Sequence, residues 1–66
     1  MKNSIKVERA RHNMTQQELA EKVNVSRQTI NSIEAGKYVP STVLALKISR
    51  IFGIALEEIF ELEDKD

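Results

Sequence analysis

Sixty-six residues with ten Lys/Arg, ten Asp/Glu and no Cys make one small domain that disulfides and thiolate metal sites cannot reinforce. The lone His12 cannot hold a metal by itself, and no apolar run approaches the roughly 20 residues that span a bilayer. The basic start MKNSIKVERARH has no apolar stretch behind it, so it does not read as a signal peptide, and a cytoplasmic protein is expected.

Taken in order, residues 3–12 predict a first helix with Asn3 or Ser4 as its N-cap. Stepping from Ile5 at helical spacing meets Glu8, Arg9 and His12, while Val7 and Ala10 lie on another face. Such a helix must bury a charged stem or be weakly anchored. His12 is expected at the surface. Asn13 is expected in the left-handed conformation that Asn tolerates well, with Met14 as the apolar residue before the next cap. Thr15 then opens a second helix with the T-x-x-E signature completed by Glu18, a reciprocal capping box. Leu19, Ala20 and Val23 share its inner face. Asn24 is expected left-handed in the turn, Val25 plugs that turn, and Ser26 caps a third helix.

In this third helix Ile30 and Ile33 face inward, Arg27, Gln28, Asn31 and Ser32 face out, and Gly36 terminates it. After the loop Lys37–Pro40, Ser41 caps a fourth helix whose Leu44, Ile48, Ile51 and Phe52 form the clearest amphipathic stripe. Val43 and Leu46 are expected to widen it and Gly53 to stop it. Residues 55–61 predict a short fifth helix with Leu56, Ile59 and Phe60 apolar, followed by a frayed, charged tail. The fold class is therefore all-α, with five helices and no repeat or linker.

Charge sharpens the reading. Residues 1–40 hold seven Lys/Arg against four Glu, and residues 41–66 hold three against six Asp/Glu, so a neutral chain is polarised into basic and acidic halves. Two short helices joined by a tight turn, the second of them polar on its outer face, suit docking on DNA. Catalysis finds no support. Glu57 and Glu58 are adjacent and cannot converge from one helix, and no nucleophile–base pair, Gly-rich phosphate loop or metal spacing occurs. No cofactor is expected.

The motifs R-x5-T-Q-x-x-L-A (Arg9 to Ala20), V-S-R-x-x-I (Val25 to Ile30), I-E-x-G-K (Ile33 to Lys37), Pro40 and the closing LEEIF occur jointly and in this order. In them the chain resembles the Cro/phage-repressor (xenobiotic-response-element) class of helix-turn-helix transcriptional regulators, in its short single-domain form. The resemblance implies a five-helix, lambda-repressor-like domain over residues 1–66, with a core at about 5–60 and a charged tail at 61–66. It also implies that the third helix enters the major groove while the second crosses the backbone. Gln16 would hydrogen-bond a phosphate, and Gln28 would read a base edge, its amide suiting adenine. Arg27 would meet a guanine or a phosphate, Asn31 and Ser32 would extend base or sugar contacts, and Lys37 and Tyr38 would grip the backbone. Arg9 and Glu34 would form the ion pair tying the first helix to the third.

The chain departs from this pattern in four places. Asn13 and Asn24 stand where Gly is common, Glu8 where Leu is usual, and Ala55 where Ser or Thr caps the last helix. The function expected from all this is sequence-specific binding of double-stranded DNA by a repressor, associated with the nucleoid and acting as a homodimer on a pseudo-palindromic operator. Ile54, Ile59, Phe60 and Leu62 are the expected dimer surface, although the alternation of Phe60 and Leu62 with Glu61 and Glu63 equally suits a short strand. The alternative is an antitoxin or adaptor acting chiefly through a protein partner such as a toxin, which the zero net charge favours modestly.

Overall fold

The computed structural model describes all 66 residues. Five helices run in order: α1 (Ile5–Arg11), α2 (Gln16–Val23), α3 (Arg27–Glu34), α4 (Thr42–Phe52) and α5 (Leu56–Ile59). None is long and apolar enough to cross a membrane. Two strands of two residues each, β1 (Lys2–Asn3) and β2 (Phe60–Glu61), pair antiparallel with Lys2 opposite Glu61 and Asn3 opposite Phe60. This pair corrects the helix boundaries expected at both ends. α1 begins at Ile5 rather than residue 3, and α5 stops at Ile59 because Phe60 turns extended to join the strand.

Local chemistry sets the other boundaries. Thr15 accepts from the Glu18 amide while the Glu18 carboxylate accepts from the Thr15 amide, at 3.0 and 2.9 Å. Ser26 accepts from Thr29 N–H and Ser41 from Leu44 N–H, both at 3.1 Å. Each such cap satisfies an amide that the helix itself cannot and contributes about 1 kcal/mol. At α1, Ser4 holds the cap position without a side-chain cap bond, and Asn3 Oδ1 accepts from Ile5 N–H instead. Four helices end alike, on a left-handed residue: Asn13, Asn24, Gly36 and Gly53. The next amide in each case reaches the carbonyl five residues back, Met14 to Arg9, Val25 to Ala20, Lys37 to Ser32 and Ile54 to Ser49.

The core gathers Leu19, Ala20 and Val23 of α2, Ile30 and Ile33 of α3, Leu44, Ala45, Ile48 and Phe52 of α4, and Ile59 and Phe60 near the end of the chain. α1 adds only Ile5 to this apolar cluster, while its second buried residue is Glu8, whose carboxylate meets Arg11 at 2.9 Å. His12 is exposed, with its ring 5.3 Å from that of Phe52. The stripe of α4 is narrower than its sequence predicts. Val43 and Leu46 are 64% and 53% exposed, because a domain this small covers only one side of α4. Ile59 and Phe60 are likewise buried within the single chain, which removes them from the free apolar surface expected for a partner. Nor does the tail fray. Glu63 and Asp66 close a turn by mutual backbone and side-chain bonds, and both carboxylates lie 3.1 Å from the α-ammonium of Met1. These contacts, Glu63 first, hold that ammonium above its ordinary pKa.

Candidate nucleic-acid interface

α2 packs against α3 more extensively than any other pair of elements. Between them lies a three-residue turn in which Asn24 is left-handed and Val25 leans on the core. Since Ile30 and Ile33 are consumed by the core, the opposite edge of α3 is fixed facing outward. Arg27, Gln28 and Asn31 are exposed there and Ser32 is half-buried. The left-handed Gly36 turns the chain so that Lys37 and Tyr38, both exposed, stand beside this edge. Gln28, Thr29, Ser32, Lys37 and Tyr38 together line a shallow recess of about 260 Å³. Four of the seven residues expected to contact DNA thus share one surface concavity.

A second group forms at the junction of α1, α2 and α3. Arg9 donates to Glu34 through Nε at 2.6 Å and Nη2 at 3.0 Å, and its Nη1 donates to the Met14 carbonyl at 3.1 Å. The two side chains are only 14% and 8% exposed. A bidentate pair in this setting is strong, and the hydrogen bonds that Arg9 donates to Glu34 hold its guanidinium above even its usual high pKa. Gln16, at the start of α2, turns its amide inward, donating to Glu34 Oε1 at 3.2 Å and to Asn31 Oδ1 at 3.3 Å. The backbone N–H groups of Gln16 and Gln17 lie in the first turn of α2, where no carbonyl of the helix can reach them. Arg27 stands apart at the first position of α3 and pairs with no acidic group.

Two contributors were not singled out as site residues from the sequence. Thr29 lines the recess while its hydroxyl bonds Ser26 at 2.9 Å. Asn3 sends its amide nitrogen 2.8 Å to the Ile33 carbonyl, tying β1 to the last turn of α3. The only signal in the sequence was an Asn one residue ahead of a cap, which says nothing of a partner thirty residues away.

The helix-turn-helix family profile matches residues 5–59. Over its whole length the chain is 56% identical to an uncharacterized HTH-type transcriptional regulator of Methanocaldococcus jannaschii, and covers all of that protein. It is 48% identical, again over both whole chains, to the uncharacterized HTH-type transcriptional regulator YgzD of Bacillus subtilis. Among solved structures it superposes on the clp gene regulator ClgR of Corynebacterium glutamicum with a TM-score of 0.75 at 26% identity, covering 82% of this chain and 57% of that one. The turn, the outward edge of α3 and these whole-length similarities agree: the chain belongs to the Cro/C1-type helix-turn-helix family of transcriptional regulators, which bind DNA and are not enzymes.

Proposed function

We propose that the protein is a repressor that binds a pseudo-palindromic operator as a homodimer, with α3 of each copy in the major groove. The observation that carries this is the single concavity shared by Gln28, Ser32, Lys37 and Tyr38. It joins groups able to read base edges with a cation and a phenol able to hold phosphates. Arg27, free of acidic partners at the start of α3, adds a further cation for a guanine or a phosphate. Gln28 is assigned to a base edge and Lys37 and Tyr38 to the backbone. Occupancy of its site, at the nucleoid, is all such a domain needs to exclude another protein from the same DNA.

One recognition helix reads only a few base pairs, so specificity calls for two half-sites about one helical turn apart. The outer face of α4 supports a second copy. Val43 and Leu46 are exposed there beside Lys47 and Arg50, and Glu57 and Glu58 open the next helix. An apolar centre with a charged rim makes a patch able to face a second copy across a two-fold axis. Of the C-terminal set, Leu62 stays exposed, while Ile54 is half-buried against the core.

Selection of bound fragments from random duplex DNA, followed by titrations over a salt series, tests this reading. The wild type should enrich a two-half-site motif. Gln28→Ala should relax one base position on the order of tenfold, and Lys37→Ala should weaken all sequences alike and reduce the salt slope by about one. Leu46→Glu should yield monomers in sedimentation. A wild type that enriches no motif at low salt, and co-purifies instead with an unrelated stoichiometric protein, would replace this reading with the adaptor one.

A further inference from the structure

An Asn amide carries an acceptor at one end and donors at the other, and turning it over costs little when nothing holds it. The junction of α1, α2 and α3 supplies something that does. Arg9 only donates, and it fixes the Glu34 carboxylate through two bonds while anchored to the Met14 carbonyl by a third. Glu34 can only accept. Gln16 must therefore turn its NH2 rather than its oxygen toward Glu34, at 3.2 Å. The same nitrogen then has one hydrogen left, which lies toward Asn31. Asn31 answers with Oδ1, at 3.3 Å, and its Nδ2 has no partner in the protein.

From this run of polarity we propose that Gln16 is a positioning residue that makes Asn31 a hydrogen-bond donor toward the DNA. The edge that Asn31 selects is then one that accepts: a purine N7, guanine O6 or thymine O4, and not the N4 amine of cytosine. Gln16, with both amide hydrogens engaged inside the protein, does not spend its side chain on a phosphate, the role its place at the start of α2 first suggests. This assignment rests on the DNA-binding reading above and adds a specificity rule to it.

The test uses the full chain in two states. In the free protein, the side-chain amide protons of Gln16 should be protected from exchange in NMR spectra while those of Asn31 exchange freely. On the selected operator, Gln16→Ala and Asn31→Ala should each lower discrimination at the same base pair, on the order of tenfold. The double variant should be no worse than either single one, and the salt slope should be unchanged. Replacing the purine at that pair by its 7-deaza analogue should mimic Asn31→Ala where N7 is the acceptor. Gln16→Glu, which offers Asn31 an acceptor, should shift the preference toward cytosine N4 or adenine N6. A Gln16→Ala protein that keeps its base preference and loses about one unit of salt slope would overturn the proposal, making Gln16 a phosphate contact. Free exchange at Gln16 in the unbound protein would overturn it whatever the DNA results. A wild type that selects no motif would bring down the DNA reading and the role of Asn31 with it.

Discussion

Arg9→Ala is the substitution from which most should follow. α1 contributes one apolar residue, Ile5, to the core, so its attachment depends heavily on the Arg9 fork to Glu34 and the bond to the Met14 carbonyl. Removing one member of a buried ion pair strands the other and costs about 3–5 kcal/mol. Gln16 would still donate to Glu34, which places the expected loss near the lower end, at about 3 kcal/mol. A domain of this length has a total stability of about 3–10 kcal/mol. At 4–8 °C per kcal/mol, the melting midpoint should fall by about 12–24 °C. Thermal unfolding followed by circular dichroism measures this directly. The paired variant Arg9→Met with Glu34→Leu, which removes both charges and keeps volume, should recover most of the loss. A midpoint for Arg9→Ala within about 5 °C of wild type would refute the view that this pair fastens α1.

Three further outcomes are expected. Glu8→Leu should raise stability by about 1 kcal/mol, since Glu8 is 5% exposed and its partner Arg11 is 69% exposed in its side chain. An ion pair that wet contributes less than burial of a leucine, and a lowered midpoint would mean the carboxylate does more than meet Arg11. Ala55→Ser should add about 1 kcal/mol by supplying the side-chain acceptor that α5 lacks, and equilibrium urea unfolding would expose a lack of gain. Glu18 titrates below its ordinary pKa because the backbone N–H and then the hydroxyl of Thr15 bond its carboxylate. Its stabilisation is therefore complete above the unfolded carboxylate value of about 4.3 and disappears as pH falls through the lower folded value. Glu18→Gln should flatten that part of the acid limb of stability against pH, and an unchanged limb would contradict the assignment.

What could be read from the sequence was mostly what acts over short distances. The caps at Thr15, Ser26 and Ser41, and the left-handed stops at Asn13, Asn24, Gly36 and Gly53, each depend on a residue and its neighbours within one turn. The Arg9–Glu34 pair spans twenty-five positions and was reached only through family resemblance. The β1–β2 pair is too short for any period to reveal, though the alternation after Ile59 hinted at an extended end. Periodicity overstated the buried width of α4 because it reports which residues share a face, not how much protein lies opposite. The outer edge of α3 was legible once Ile30 and Ile33 were assigned inward. The inward turn of Gln16 was not, since an amide's direction is set by Glu34 and Arg9 rather than by its own place in the chain.

Asn3 joins segments that the chain order keeps far apart. Its backbone pairs with Phe60, its Oδ1 starts α1, and its Nδ2 holds the Ile33 carbonyl at the end of α3. Peeling residues 60–61 from residues 2–3 would therefore loosen the same turn from which Lys37 and Tyr38 project. Motions of the two extremities and of the backbone grip are mechanically shared. Amide exchange at Gly36 and Lys37 should then slow or quicken in step with that at the strand pair, as one opening event rather than two.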